Sequence, residues 1–121
     1  MAKKIAIIDD EEDILELYKM SLDELDRYEV HCFSRPLEAI KFLRTNKVDL
    51  VICDDSMREL RGLDVLKTMR SETTNTNTLF YIASGHPDIN KSVYLEYNCK
   101  RFFQKPFELE EILAIIELDL K

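Results

Sequence analysis

Near the start of the chain lies the stretch Ile5-Ala6-Ile7-Ile8-Asp9-Asp10, a continuous apolar run that ends in two carboxylates. Short uninterrupted apolar runs are typical of central parallel β-strands, which other elements cover on both faces. A second run of this kind, Leu50-Val51-Ile52-Cys53, ends in Asp54 and Asp55. Both stretches therefore predict a buried strand with acidic residues at its carboxyl end.

The rest of the chain alternates strand patterns with amphipathic helix patterns. In the first helix, apolar residues recur at helical spacing, at Ile14, Tyr18, Leu22 and Leu25. The sequence predicts three further strands at 30–33, 79–83 and 101–103, a polar loop at 71–78, and helices at about 12–25, from Pro36 onward, at 63–70, 88–97 and 108–120. Five βα units in succession predict a parallel sheet with helices on both faces.

The order of the strands follows from the handedness of their connections. Right-handed crossovers leave few topologies for five βα units, and one of them is the doubly wound, flavodoxin-like α/β order 2-1-3-4-5. We therefore predict a five-stranded parallel sheet in this order with five helices. Ligands in such sheets bind beyond the carboxyl ends of the strands. The carboxylates that follow strands one and three, which are neighbours in this order, are expected to converge there.

Composition and charge limit the possible functions. A length of 121 residues suits a single domain, residues 1–121. The net charge of −7 argues against direct nucleic-acid binding, which a basic face would indicate. The absence of a membrane-spanning apolar run and of a signal peptide predicts a cytoplasmic protein without membrane contact. The three cysteines, Cys32, Cys53 and Cys99, lack metal-ligand spacing and are expected to be free thiols.

Chemically useful side chains follow four of the predicted strands: Asp9 and Asp10, Asp54, Ser84, and Lys105. A cluster of carboxylates costs stability unless a cation compensates it, and hard carboxylate oxygens suit Mg²⁺. A hydroxyl and an ammonium complete the parts for phosphoryl transfer, in which the protein mainly positions groups and neutralises charge. Taken singly, each residue has a plainer interpretation as a helix cap, a turn residue or a solvated charge.

With these residues in this order, the full chain resembles the receiver domains of two-component response regulators. The matching stretches are Ile7-Ile8-Asp9-Asp10-Glu11, Asp49-Leu50-Val51-Ile52-Cys53-Asp54 with Met57 and Gly62, Ala83-Ser84-Gly85, and Gln104-Lys105-Pro106-Phe107. The resemblance implies a signalling switch and not an enzyme. Such a switch accepts a phosphoryl group from a sensor histidine kinase or phosphotransfer protein, assists its own phosphorylation and dephosphorylation, and signals to a downstream protein target or effector domain.

The resemblance also implies roles for the acidic residues. Asp54 is expected to receive the phosphoryl group as an acyl phosphate. Asp10, Asp54 and the backbone carbonyl of Ser56 are expected to bind Mg²⁺, and Asp9 to assist through water. Asp54 is chosen over Asp55 because it is the first acid after the apolar run, and the alternation of side chains along a strand points Asp55 elsewhere.

The resemblance also implies roles for residues at the ends of the other strands. Lys105 is expected to pair with the phosphoryl oxygens, and Ser84 to hydrogen-bond the phosphoryl group once it arrives. Phe102 stands where the family has an aromatic switch that turns inward. Ser56 and His86 occupy positions that in the family tune hydrolysis of the acyl phosphate. The alternative for His86 is a residue that only precedes the helix starting near Pro87. The peptide bond between Lys105 and Pro106 is expected to be cis, as is usual in the family.

The sequence departs from the family pattern at several positions. Arg58 replaces a proline that usually follows the methionine after the acceptor, and it brings a positive charge close to the site. Asp55 occupies a position that is more often apolar. Asn98 and Cys99 replace a common Gly-Ala pair before the fifth strand, and asparagine tolerates the left-handed backbone conformation that such a turn can require.

Two alternatives to a phosphorylated switch remain at this point. The first is a receiver-fold binding module that works independently of phosphorylation. The second is an enzyme on the same fold, although a dehalogenase-type phosphatase needs an acid where Ser56 stands, and a dinucleotide enzyme needs a glycine-rich turn.

The partner surface is less defined by the sequence. In the family, the face of helix four, strand five and helix five meets partners or forms dimers. The candidates for this face are Tyr94, Tyr97, Lys100 and Phe102. For Tyr94 and Tyr97, ordinary packing of a short helix is an equal alternative. The chain suits either a stand-alone receiver or one domain of a longer protein.

Overall fold

The structure, a computed structural model, describes residues 2–121. It contains five strands that pair in parallel in the order β2-β1-β3-β4-β5. In chain order the elements are β1 (Lys3–Ile8), α1 (Glu12–Glu24), β2 (Tyr28–Phe33), α2 (Pro36–Thr45), β3 (Leu50–Asp54), α3 (Gly62–Glu72), β4 (Leu79–Ser84), α4 (Lys91–Glu96), β5 (Arg101–Gln104) and α5 (Leu109–Asp119). The predicted doubly wound α/β fold is confirmed.

The sheet separates two apolar cores, and successive residues of its strands face them alternately. Helices α2, α3 and α4 cover one face, and helices α1 and α5 cover the other. In β3 the side chain of Cys53 belongs to the first core, and that of Ile52 belongs to the second. Because β3 is buried along its whole length, its continuous apolar run reflects burial on both faces.

The strand register aligns the carboxyl ends on which the site depends. Ile8 of β1 pairs with Cys53 of β3, so Asp9 follows its strand at the level of Asp54. Asp54 in turn pairs with Ala83 of β4, which precedes Ser84. The polar residues at the ends of β1, β3 and β4 therefore lie side by side along one edge of the sheet.

Helix α1 buries Leu15, Tyr18 and Leu22 against the sheet. The predicted stripe is therefore only partly right, since Ile14 and Leu25 are half-buried. Leu15 was missed because it lies one position after the first residue of the assumed stripe, on the edge of the same helical face.

Helix α4 is shorter than predicted, at six residues from Lys91 to Glu96 rather than 88–97. Its start is delayed because Pro87 and Asp88 form a turn. Its end is set by Asn98, which has a positive φ of 60° and donates its backbone N–H to the Leu95 carbonyl at 3.0 Å. The expectation that Asn98 can take the left-handed conformation at this turn is confirmed.

The predicted partner face also needs a correction at Tyr94. Its side chain is only 3% exposed and belongs to the core between the sheet and helices α2, α3 and α4. Tyr97 and Phe102 are half-buried and Lys100 is exposed, so these three residues remain candidates for the face. Helical spacing alone could not separate the buried tyrosine from the accessible one.

The amino-terminal edge of the sheet is held by the buried side chain of Asn75. Its amide oxygen accepts hydrogen bonds from the Val48 backbone N–H at 2.9 Å and from the Thr78 hydroxyl at 2.8 Å. Its amide nitrogen donates to the carbonyls of Leu43 at 2.7 Å and Asn46 at 2.9 Å. One side chain thus joins the α2–β3 and α3–β4 connections.

Arg70 ties a further pair of connections together at the same edge. Its guanidinium donates to the carbonyls of Thr76 and Thr78 before β4, and to those of Tyr97 and Asn98 before β5. These carbonyls lie in loops, where no strand or helix partner satisfies them. Arg70 therefore supplies the hydrogen-bond donors that backbone N–H groups supply to carbonyls within strands and helices.

The cysteines and the lengths of the helices bear on what the composition predicts. Cys32, Cys53 and Cys99 are all free, as expected, and the last two are buried. Within residues 2–121, none of the helices has the length and apolar character needed to cross a lipid bilayer.

Candidate functional site

The carboxyl edge of the sheet brings three aspartates together. Asp9 and Asp10 follow β1, and Asp54 is the last residue of β3. Each contributes one carboxylate oxygen to a group in which all three oxygens lie within 4.8 Å of one another. Asp9 and Asp54 are buried, and Asp10 is half-buried. The cluster concentrates negative charge in a place with little access to solvent.

Lys105 supplies a positive charge to this cluster. Its ammonium nitrogen lies 2.7 Å from Asp9 Oδ2 and 3.0 Å from Asp54 Oδ1. The backbone N–H of Lys105 donates to the Ser84 carbonyl at 2.8 Å, which fixes the residue beside β4. The peptide bond to Pro106 is cis, as predicted.

The charges in this pocket shift the acid–base properties of its members. Burial raises the pKa of Asp54 to about 6, while the hydrogen bond from Lys105 opposes the rise and the charge of Asp9 adds to it. Burial by itself acts to lower the pKa of Lys105, but its hydrogen bonds to Asp9 and Asp54 outweigh this effect and raise it. At neutral pH the pocket therefore combines an ammonium with a mostly ionised Asp54.

Asp9 also takes part in the start of helix α1. Its Oδ1 accepts a hydrogen bond from the Glu11 backbone N–H at 2.9 Å, while its other oxygen pairs with Lys105. The plainer interpretation of Asp9, as a residue that satisfies the helix start, is thus compatible with a place in the acidic cluster.

Ser84 and Phe102 line the same small cavity. Its volume is about 100 Å³, and His86 forms another part of its wall. The Ser84 hydroxyl oxygen accepts a hydrogen bond from the His86 backbone N–H at 3.0 Å. The ring of Phe102 is half-buried, and the ammonium of Lys91 lies 5.5 Å from its centroid. The structure therefore places the predicted switch residues on the wall of one cavity, with Ser84 one strand and Phe102 two strands away from Asp54.

The loop after β3 carries the remaining predicted positions. Ser56 is exposed and forms an isolated antiparallel bridge with Arg61. Arg58 has a side chain that is 84% exposed, and its Nε lies 3.8 Å from Asp10 Oδ2. The charge of Arg58 is thus close to the acidic cluster but remains well solvated, so its effect on Asp10 is screened.

Asp55 points away from the cluster, to the opposite face of the sheet. Its side chain is 1% exposed and accepts a hydrogen bond from the hydroxyl of Tyr94. The guanidinium of Arg61 lies 3.0 Å from its other oxygen. The alternation of side chains along β3 predicts this direction but not these partners, because Asp55 and Tyr94 are 39 residues apart and share no local pattern.

A second feature that the sequence did not reveal is the hydroxyl of Tyr18. The residue was predicted as part of the buried stripe of α1, and its side chain is indeed buried. Its hydroxyl is fully buried and has no hydrogen-bond partner among residues 2–121. Burial, followed by the charges of Asp9 and Asp54, raises its pKa, so the phenol stays protonated. No short-range sequence signal marks such a group.

The three carboxylates fit a divalent cation of the magnesium type. Their oxygens are hard ligands, they converge from two neighbouring strands, and only part of their charge is balanced by Lys105.

The sequence matches a described family along most of its length. Residues 5–117 match the model of the response regulator receiver domain. The chain is also 32% identical over 121 residues to the alkaline phosphatase synthesis transcriptional regulatory protein PhoP of Bacillus subtilis (strain 168). That alignment covers 100% of this chain and 50% of PhoP, so the chain spans about half the length of this relative.

Solved structures show the same fold. A response regulator receiver domain protein (CheY-like) from Methanospirillum hungatei JF-1 has a TM-score of 0.90 at 21% identity, with 99% of this chain and 94% of that one covered. The response regulator protein TrrA from Thermotoga maritima, solved in complex with Mg(2+)-BeF, has a TM-score of 0.81 at 25% identity over 97% of this chain and 98% of its own. With the family model matched from residue 5 to residue 117, the chain belongs to the receiver domains of two-component response regulators.

Proposed function

We propose that the protein is a phosphorylation-driven switch in which Asp54 accepts a phosphoryl group from a sensor histidine kinase or a phosphotransfer protein. The observation that carries the proposal is the placement of the Asp54 carboxylate. It lies within 4.8 Å of the carboxylates of Asp9 and Asp10 and 3.0 Å from the ammonium of Lys105. A structural acid would need only a counter-charge, whereas this one also lies beside two carboxylates that could hold a divalent cation. Such a cation and Lys105 would neutralise an incoming phosphoryl group.

The proposed transfer uses Asp54 as the nucleophile. One of its carboxylate oxygens forms the new bond to phosphorus while the bond between phosphorus and the donor histidine nitrogen breaks, and the imidazole then takes up a proton. Lys105 pairs with a phosphoryl oxygen in place of one of its present carboxylate partners. Ser84 hydrogen-bonds another phosphoryl oxygen after its hydroxyl turns from the His86 backbone. Attack of water on phosphorus then breaks its bond to the Asp54 oxygen, which releases inorganic phosphate and returns Asp54 to a carboxylate. Ser56 and His86 would tune the rate of this step.

A magnesium ion belongs to this proposal as the resident cofactor. Asp10, Asp54 and the Ser56 backbone carbonyl would hold it, with Asp9 contributing through water. When bound, it supplies positive charge that offsets the charge developing on the transferred phosphoryl group. The residues of the chain supply the rest, because Lys105 and Ser84 orient the group and the burial of Asp54 limits the access of water.

The proposal extends to partners and location. Signalling requires a downstream protein target or an effector domain, and the name of PhoP as a transcriptional regulator makes control of transcription one form of such output. The face of α4, β5 and α5, with Tyr97, Lys100 and Phe102, is the proposed surface for partner binding or dimer formation. A histidine kinase as phosphoryl donor places the switch in the cytoplasm.

The direct test is titration with beryllium fluoride in the presence of Mg²⁺, since this complex mimics a phosphoryl group on a carboxylate. We expect the native protein to bind it and the Asp54→Asn variant to lose binding entirely, because the amide offers no anionic oxygen. Asp23→Asn, which removes an exposed carboxylate paired with Lys19, should bind like the native protein. Isothermal titration calorimetry measures all three.

A parallel incubation with phosphoramidate should add one phosphoryl group to Asp54, located by mass spectrometry. If folded native protein neither binds beryllium fluoride nor gains a phosphoryl group, the phosphoacceptor function is wrong. A receiver-fold binding module that works without phosphorylation would then be the better description.

A further inference from the structure

Asp55, the neighbour of the proposed phosphoacceptor, connects strand β3 to helix α4. Its carboxylate accepts a hydrogen bond from the Tyr94 hydroxyl and pairs with Arg61 at 3.0 Å. Its backbone is equally constrained, because its N–H donates to Ala83 and its carbonyl accepts from Gly62, both at 2.8 Å. The acid is thus a fixed point at the end of the strand, and Tyr94 is the part of α4 that reaches it.

Tyr94 also touches the aromatic residue of the proposed switch. Its ring meets the ring of Phe102 edge to face, with the ring centroids 6.2 Å apart and an interplanar angle of 89°. Burial and then the hydrogen bond to Asp55 raise the pKa of Tyr94, so its hydroxyl remains a proton donor. A displacement of α4 therefore changes both the hydrogen bond to Asp55 and the packing against Phe102.

The surroundings of the hydrogen bond from Tyr94 to Asp55 favour two states, one in which the bond is formed and one in which it is broken. Asp55 is 1% exposed, so its hydrogen bond from the Tyr94 hydroxyl is shielded from competing water while α4 is in place. A cavity of about 520 Å³ lies beside the contact, between the start of α3 and the β4–α4 loop. Helix α4 has only six residues, and Tyr94 is its buried residue. The hydrogen bond to Asp55 therefore fixes the position of α4 together with the packing of the Tyr94 ring and the bonds of Arg70 to the carbonyls of Tyr97 and Asn98.

We propose that the hydrogen bond from Tyr94 to Asp55 is a latch that holds α4 in its unphosphorylated position and must break before Phe102 can turn inward. This inference rests on the proposed function, because it assigns a restraint to the same switch. Arg61 keeps the buried charge of Asp55 compensated when the latch is open. Asp55 directly follows Asp54 in the chain, so a shift of the Asp54 backbone on phosphorylation would also move the carboxylate that Tyr94 of α4 contacts.

The first test measures the latch without any phosphoryl mimic. Tyr94→Phe removes the hydroxyl but keeps the ring, and it should speed hydrogen–deuterium exchange of the α4 amides, residues 91–96. Tyr97→Phe is the matched control, because it removes a hydroxyl from the end of the same helix while Asp55 keeps its partners. Unchanged exchange of α4 in Tyr94→Phe, or equal acceleration in the control, would overturn the latch.

The second test measures the direction of the bias. If the latch favours the unphosphorylated state, Tyr94→Phe should bind beryllium fluoride with Mg²⁺ about fivefold more tightly than the native protein, because less work is then needed to move α4. An unchanged or weaker affinity would show that the contact is equally strong, or stronger, in the activated state, and would contradict the proposal.

A third variant separates the hydrogen bond from the charge. Asp55→Asn combined with Arg61→Gln keeps an acceptor oxygen for the Tyr94 hydroxyl and removes the guanidinium that would oppose the new amide nitrogen, so exchange of α4 and the affinity for beryllium fluoride should stay near native values. If it behaves like Tyr94→Phe, the charge and not the hydrogen bond holds α4, and the latch is wrong. Failure of the native protein to bind beryllium fluoride would instead count against the proposed function, and the exchange of α4 would still decide whether the contact holds the helix.

Discussion

Replacing Gly62 with alanine is expected to lower the free energy of unfolding by about 3 kcal/mol, the upper part of the range for overpacked cores. A Cβ atom at this position would lie 2.4 Å from Ile82 Cδ1, 2.7 Å from the Asp54 carbonyl oxygen and 3.1 Å from Asp55 Cα. The end of the Ile82 side chain can rotate away. The backbone of Asp54 and Asp55 cannot, because its hydrogen bonds to neighbouring strands hold it in the sheet.

The same substitution should also weaken the site. The N–H of Gly62 donates to the Asp55 carbonyl at 2.8 Å, and this bond joins the start of α3 to the end of β3. The added methyl group must therefore either displace both elements together or break the bond. Either movement displaces Asp54 from Lys105. Urea unfolding should report the loss of stability, and a titration with beryllium fluoride should report weaker binding in the same variant.

Gly85→Ala is the matched control for this prediction. A Cβ atom at Gly85 meets no atom within 4 Å, so the change in unfolding free energy should stay within about 0.5 kcal/mol. Similar stabilities for the two alanine variants would show that the close approach of α3 to β3 relaxes at little cost. The steric argument would then be wrong.

Asn75→Ala should destabilise the protein by about 3 kcal/mol, because it leaves several buried backbone groups without partners. In the native protein the Asn75 amide accepts a hydrogen bond from the N–H of Val48 and donates to the carbonyls of Leu43 and Asn46. The side chain is fully buried. Alanine cannot replace these hydrogen bonds, and the space it opens is lined by polar atoms. The midpoint of urea unfolding measures the effect.

Asn77→Ala tests the same chemistry at an exposed position of the same loop. Its effect on the unfolding free energy should be within about 0.5 kcal/mol, as for most surface substitutions. A comparable loss in both variants would point to the loop conformation as the source of stability. The hydrogen bonds of Asn75 would then carry less of the stability than their number suggests.

The fold could be predicted from sequence because its strongest signals are local. The apolar runs of β1 and β3 are short, continuous and bounded by acids, and Pro36 begins α2 as expected. The error at α4 has a local cause too, since Pro87 is compatible with a helix start but stands in a turn. A proline at this point restricts the backbone without deciding between the two.

The site was predictable to the extent that strand ends determine it. Asp9, Asp10, Asp54 and Lys105 meet because parallel strands place their carboxyl ends at one edge. Contacts that depend on side-chain reach across the fold were not predictable. The sequence left Tyr94 between the partner face and ordinary packing and did not indicate its contact with Asp55, since neither helical spacing nor composition encodes a partner 39 residues away.

Strand direction has one more consequence, which concerns how substitutions combine. Asn75 and Arg70 act at the amino-terminal edge of the sheet, and the five residues of β3 separate them from Asp54 by roughly 16 Å. At such separations the energies of substitutions usually add to within about 0.5 kcal/mol. The two edges should therefore evolve, and be engineered, as independent modules, so that stability gained at one can compensate for chemically demanding residues at the other.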